Sequence, residues 1–184
     1  MIELETDRLI LRQWKKSDYL AFAEMTADPS VMRFFPNVLS KIESDQLALK
    51  IETLINDNGW GFWAVELKKT SAFIGFVGLH YQDQDIPNAP FIEIGWRLAS
   101  NCWGVGYAPE AAQAALKFAF EELNETAIYA FTTTVNQPSR NVMTKIGMVD
   151  INQDFNHPKL PDDHELVRHC LYRISEEMWL KSTA

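Results

Sequence analysis

The sequence predicts an α/β (α+β) fold, a mixed and mainly antiparallel sheet of seven strands carrying about four helices. Three observations point there. Strand-like runs recur from one end of the chain to the other; helix-like stretches interrupt them at only a few places; and three strand-like runs follow one another mid-chain with no helix between them. Strict alternation of strand and helix would give a parallel sheet, whereas runs of strands with few helices give mixed direction.

Each element has its own signal. "RLILRQW" (8–14) alternates apolar and polar residues and reads as a strand. "SDYLAFAEMTAD" starts on a Ser17/Asp18 cap and reads as a helix that ends before Pro29. "KIESDQLALKIETLINDNG" has apolar residues at 47, 51, 54 and 55 and stops at Asn58-Gly59, which predicts a second helix. Strands follow at 61–68, 72–82 and, after the polar turn "DQDIPNAP", at 91–99. Ala112, Leu116, Ala119, Phe120 and Leu123 form one face of a third helix. "AIYAFTTTV" (127–135) is β-branched and aromatic and reads as a strand; "QPSRNVMTKIG" (137–147) is a short helix with a glycine stop. "MVDINQDF" and "LVRHCLYRIS" close the sheet.

The chain has 184 residues, 47% hydrophobic and 23% charged, with a net charge of −8. No linker, repeat or charge block divides it, so one domain over 1–184 is expected. A domain of this size buries roughly 70% of the surface its unfolded chain exposes. The acidic balance argues against nucleic acid, which needs a clustered basic surface. The N-terminus is charged from residue 3, no run approaches a membrane span, and two distant cysteines make no disulfide framework. The expectation is a soluble cytoplasmic protein with no membrane partner. His157, His164 and His169 cluster in the last third, but their spacing matches no standard metal-ligand pattern, so no metal is expected.

The chemistry concentrates in "NCWGVGYAPEA" (101–111), between a strand and a helix. Its two glycines permit positive φ and close approach to a ligand, and Pro109 suits a first helical turn. Free amides at such a helix start favour an anion. A Rossmann turn would need a third glycine where Pro109 stands, and a Walker loop would need Lys after its glycine; neither is present. Two glycines before a helix are also compatible with a plain tight turn.

The segment resembles motif A of the GNAT superfamily of acyl-CoA-dependent N-acyltransferases, Q/R-x-x-G-x-G/A, with Asn101 in the Q/R place. "WGVGYAPEA", "ETDRLILRQW", "EIGWRL" (93–98), "NQPSRNVMTKIGM" (136–148) and the ending from Asp154 to Trp179 are similar to its RimJ/RimL-like branch. The matches run in order over nearly the whole chain.

The resemblance implies a sheet splayed between its fourth and fifth strands, and acetyl-CoA as co-substrate. The amides of Trp103, Gly104, Val105, Gly106, Tyr107 and Ala108 would cradle the pyrophosphate. The backbone at Trp96, Arg97 and Leu98 would pair with the pantetheine amides. Glu93, the only carboxylate in its strand, corresponds to a general base, or is a solvated or site-ordering residue. Ser139 corresponds to the proton donor toward the thiolate, or caps a helix; Met143 stands where many relatives carry tyrosine. Asn136 would bond the pantetheine or order its loop. Arg140 and Lys145 are candidates for the coenzyme phosphates, or merely exposed helix positions.

Phe34, Phe35 and Trp63 are candidates for an acceptor wall, or core aromatics, and "HPKLPDDHEL" (157–166) is a further stretch to line it. The implied activity is acetyl transfer to a primary amine, on a protein N-terminus or a small molecule, by direct attack in a ternary complex. The alternative is a non-catalytic acyl-CoA-binding module. A homodimer is possible for this family.

Overall fold

The computed structural model describes residues 2–183. Its contacts divide the chain into two compact units, residues 1–79 with 95–115 and residues 80–94 with 116–184. The boundaries run inside two strands and a helix, which is why no linker composition marks them.

The first unit contains β1 (Leu4–Glu5), β2 (Leu9–Arg12), α1 (Asp18–Ala27), α2 (Lys41–Asn58) and β3 (Phe62–Leu67). It also holds the start of β4 (Phe73–Gln82), the end of β5 (Phe91–Leu98), a 3-10 turn (Ser100–Cys102) and the start of α3 (Tyr107–Glu121). β1 pairs with β2, β2 with β3 and β3 with β4, all antiparallel. The β3–β4 register shifts between Val65 and Glu66, and Gly75 opposite takes φ +132°. A Cβ on Gly78 would overlap the Gly61 carbonyl oxygen, so the two backbones meet where only glycine fits.

α2 shows how sequence sets a helix here. Ser40 accepts the Glu43 amide while the Glu43 carboxylate accepts the Ser40 amide, a reciprocal cap. Ser44, Ala48, Ile51 and Ile55 form the buried stripe, and Gly59 at φ +80° ends the helix. α1 starts differently from the predicted cap. Ser17 makes no side-chain cap bond; Asp18 accepts the Lys15 amide instead and pairs with Arg12. Arg12 also holds Glu66 at 2.6 Å. Around this network Trp14, Phe22, Phe62, Phe73 and Phe76 pack ring on ring, and the Trp14 indole donates to the Phe62 carbonyl.

The second unit holds the end of β4, the start of β5, the end of α3, β6 (Ala127–Thr133), α4 (Gln137–Lys145), β7 (Val149–Asp150), β8 (Phe155–Asn156), β9 (Arg168–Ser175) and α5 (Glu176–Thr183). β6 pairs antiparallel with β9 from Ala127↔Ser175 to Thr133↔His169. β5 meets β6 in parallel at Glu93↔Tyr129. Phe91 stacks on Tyr129 with ring centroids 4.5 Å apart, beside a core of Ile86, Phe155 and Leu171.

Among the described residues the strands number nine rather than seven and the α-helices five rather than about four. Leu4–Glu5 adds a short strand before β2. The run "MVDINQDF" pairs with β9 as two short pieces, because Asn152 at φ +56° breaks it and the Asp150 carboxylate accepts the Asn152 amide. α5 follows β9 directly, with Glu176 and Glu177 in its first turn, Lys181 in its last, and Trp179 buried against Phe120.

Candidate active site

In the first unit the glycine junction forms an exposed turn ahead of α3. Gly104 takes φ +78° and Gly106 φ +89°, the left-handed region glycine enters without strain. A Cβ at Gly104 would meet nothing within 4 Å, so backbone conformation and not crowding asks for glycine there. α3 starts at Tyr107, with Pro109 in its first turn and Glu110 N–H bonded to the Gly106 carbonyl. Alternating backbone conformations before a helix start build a concave run of N–H donors suited to an anion. A diphosphate is therefore a chemical match to this turn.

That turn is held by residues absent from the sequence-predicted site. Glu110 accepts from Thr6 Oγ1 at 2.6 Å, from the Arg8 amide at 3.0 Å and from Arg8 Nε at 2.6 Å. Arg8 Nη1 donates to the Val105 carbonyl, and the guanidinium lies over the Tyr107 ring at 4.6 Å. The signal was available: "ETDRL" and "APEA" both belong to the resembling motifs, but nothing in the linear sequence joins them.

At the end of β5, the Trp103 indole folds back to donate to the Leu98 carbonyl at 2.9 Å, and the Ala99 amide bonds Ile74. Ser100 ties the 3-10 turn to Asp28 at 2.7 Å. A recess of about 300 Å³ lies on this unit, lined among others by Met25, Phe73, Ile74, Asn101 and Cys102; it touches the motif only at those last two residues and does not reach its glycines.

In the second unit Glu93 lies partly exposed, yet protein atoms surround its carboxylate and burial pushes it up to about 7. Gln82 Nε2 donates to Glu93 Oε2 at 3.0 Å and Lys159 contributes an attractive charge; both pull the value down against burial. A carboxyl that titrates near neutrality is tuned for proton transfer at physiological pH. The stretch 157–166 reaches this neighbourhood through Lys159.

His157 and His169 stand with ring centroids 4.9 Å apart beside Phe131 and Phe155. Burial first, then the neighbouring His169 and Lys159, lowers His157 to about 4; burial lowers His169. Three histidines fold the chain locally: His157 Nδ1 accepts the Lys159 amide, His164 Nδ1 accepts the Leu166 amide, and His169 Nδ1 donates to the Val167 carbonyl. Among the described residues no three His, Cys, Asp or Glu side chains gather as a metal site would require.

Asn136, rather than Ser139, caps α4: its Oδ1 accepts the Ser139 amide while its Nδ2 donates to Thr132 Oγ1. Asn136 thus orders the turn before the helix. Ser139 sits in the first turn, half-buried. Met143 is 2% exposed and belongs to the core. Arg140 is committed to Tyr172, the Thr134 carbonyl and Asp150; Lys145 is exposed.

Of the acceptor candidates, Phe35 is 38% exposed and Phe34 half-buried, while Trp63 is 0% exposed with its indole donating to the Ile2 carbonyl. Trp63 is therefore in the core of its unit.

Residues 8–149 match the Acetyltransferase (GNAT) domain family. The chain is 33% identical over 178 residues to the uncharacterised N-acetyltransferase YnaD of Bacillus subtilis, covering 97% of this chain and 99% of that one. It superposes with a TM-score of 0.80, at 29% identity and 96% and 99% coverage, on a GNAT-family acetyltransferase from Bacillus anthracis. It shares the fold of the ribosomal-protein-S5-alanine acetyltransferase of Vibrio fischeri, TM-score 0.73 at 20% identity, over 97% and 99% of the two chains. The chain belongs to the GNAT acetyltransferase family. It is an acyltransferase, and the members of this family use acetyl-CoA.

Proposed function

We propose that this enzyme transfers an acetyl group from acetyl-CoA to a primary amine by direct attack in a ternary complex. The observation that carries the reading is the exposed turn with Gly104 and Gly106 both at positive φ immediately ahead of α3. In the first unit, the amides from Gly104 to Ala108 take the diphosphate, the Trp103 amide being bonded instead to the Ser100 carbonyl, and the backbone of Trp96, Arg97 and Leu98 takes the pantetheine amides. The bound thioester supplies the activated acyl carbonyl. One amide of that strand donates to the carbonyl oxygen, a kind of contact that contributes on the order of 3 kcal/mol in acyl transfer.

In the second unit, Glu93 removes a proton from the incoming ammonium, directly or through water. A free α-amine titrates at roughly 8 and a lysine at roughly 10.4, so a carboxylate near 7 suits the α-amine better. As the new C–N bond forms and the C–S bond breaks, Ser139 donates a proton to the departing sulfur, since Met143 has none to give, and recovers one from the nitrogen that becomes the amide; Asn136 fixes the turn that presents it. Phe34 and Phe35 contact the acceptor.

The RimJ/RimL-like motifs and the name of the Vibrio fischeri neighbour support a protein N-terminus as acceptor; a small-molecule amine fits the same chemistry. The charge of −8 favours a cationic acceptor over nucleic acid. Among the described residues no helix is long and apolar enough to cross a membrane. We read the enzyme as cytoplasmic, and as a homodimer where family habit holds.

The test is free-thiol release from acetyl-CoA with a panel of amines and N-terminal peptides, alongside calorimetry of acetyl-CoA binding. Absence of binding removes the proposal. Tight binding without turnover on any acceptor favours the non-catalytic reading, to which the buried Met143 lends support.

A further inference from the structure

Two arginines of the first unit have charged groups inside the protein, and they are treated in opposite ways. Arg12 is matched by two carboxylates, Asp18 at 2.8 Å and Glu66 at 2.6 Å. Arg97, near the end of β5, has none. Its Nε and Nη1 atoms are shut off from solvent and have no hydrogen-bond partner among the described residues. Burial alone lowers it, to about 10, with no neighbouring acid to raise it again.

What surrounds the guanidinium is aromatic. Its carbon lies 4.1 Å from the centre of the Phe35 ring and 5.4 Å from that of Phe76. Phe62 packs on Phe76 at 5.1 Å and covers Gly95, where a Cβ would come within 3.1 Å of its ring. Aromatic faces attract the cation but accept none of its N–H bonds. A buried donor left unmade is costly, and a buried charge without a counter-charge more so. Phe35, whose ring covers the guanidinium, is itself exposed, so displacement of that one ring would uncover Arg97.

We infer that Arg97 is the recognition site for a carboxylate carried by the acceptor, so that the amine substrate is an amino acid or a peptide with an acidic group near its amine. This rests on the acetyl-transfer reading above. Charge-assisted N–H bonds from a guanidinium suit a carboxylate oxygen, and flat aromatic walls fit a planar anion. A phosphate dianion calls for further cations, and Arg97 has no charged neighbour that shifts it. The coenzyme's own phosphates are assigned to the turn at 104–108, which leaves the acceptor to supply the anion.

The experiment pairs each amine acid with its carboxamide in the thiol-release assay, for the wild type, Arg97→Gln and Arg97→Lys. The wild type favours the acid, and Arg97→Gln lowers the ratio of kcat/KM for acid over amide by roughly tenfold or more, with partial recovery in Arg97→Lys. Because the readout is a ratio, a general loss of folded enzyme cancels. In parallel, the Arg97 Nε–H resonance is followed as N-acetylglycine and then N-acetylglycinamide are titrated in; only the acid shifts it.

Equal turnover of acid and amide with no shift overturns the Arg97 assignment and leaves acetyl transfer standing. A weaker acetyl-CoA affinity in Arg97→Gln with an unchanged ratio also overturns it, by giving the side chain to the coenzyme. A shift with N-acetylglycine in a protein that turns over no amine keeps the carboxylate site and removes the transfer reading.

Discussion

Arg8 and Glu110 lie 102 residues apart in the chain, and their side chains meet at 2.6 Å at the first turn of α3. The pair does more than match charge. Glu110 also takes the Thr6 hydroxyl and the Arg8 amide, and Arg8 reaches on to the Val105 carbonyl inside the glycine turn. An exposed ion pair contributes little stability, typically below 1 kcal/mol. Glu110→Ala is therefore expected to leave the melting temperature within a few degrees of wild type while weakening acetyl-CoA binding several-fold. Calorimetry beside thermal melts checks this; a large stability loss with unchanged affinity contradicts it.

Gly106→Ala probes the same turn from the backbone. Alanine at φ +89° is strained by about 1–2 kcal/mol, and its Cβ would stand 3.4 Å from Arg8 Nη2. Affinity for acetyl-CoA should fall, and the Gly106→Ala and Arg8→Ala effects should be less than additive because they disturb one clamp.

Glu93 gives a pH signature with a definite sign. Its carboxyl titrates near 7 when folded, above the ordinary 4.5. kcat/KM should rise with pH through about 7, and Glu93→Gln should lower it by about 10²-fold or more and flatten the profile. In stability the sign is opposite. A raised carboxyl contributes fully below its unfolded value and loses that contribution as pH climbs through the folded one. Wild-type stability relative to Glu93→Gln should thus decline between about pH 4.5 and 7, measurable by urea unfolding at several pH values.

Ser139→Ala separates chemistry from capping. Because Asn136 makes the cap, removing the Ser139 hydroxyl should reduce kcat without a comparable loss of stability, whereas Asn136→Ala should cost about 1 kcal/mol. Equal kcat for wild type and Ser139→Ala would take the proton donor elsewhere.

Arg12→Met tests the buried network of the first unit. It leaves the buried Asp18 without its cation and Glu66 with only Lys15, at 3.3 Å, and such a break typically costs 3–5 kcal/mol. Denaturant unfolding should show a lower midpoint with little change in slope.

Local signals in the sequence marked what local chemistry decides. α2 was legible through its apolar spacing and its Asn58-Gly59 stop, and the glycine turn through Gly104, Gly106 and Pro109. α5 was not, because eight residues with one buried tryptophan give too short a period to read. The Arg8–Glu110 clamp, the Gln82–Glu93 bond and the approach of Lys159 depend on chain segments brought together only by folding. Trp63 shows the converse limit: aromatic identity in a strand does not say whether the ring faces a ligand or the interior.

The close approach of Gly61 and Gly78 carries a lesson for anyone mapping this enzyme by mutation. In a saturation library scored for activity, every replacement at position 78 would vanish from the surviving pool, since each wedges two neighbouring strands apart. That depletion would look as severe as the loss of a proton donor, yet it would recur in any assay that reports only on whether the polypeptide assembles. Scoring abundance and turnover on the same library would separate such positions from those that touch the reacting atoms.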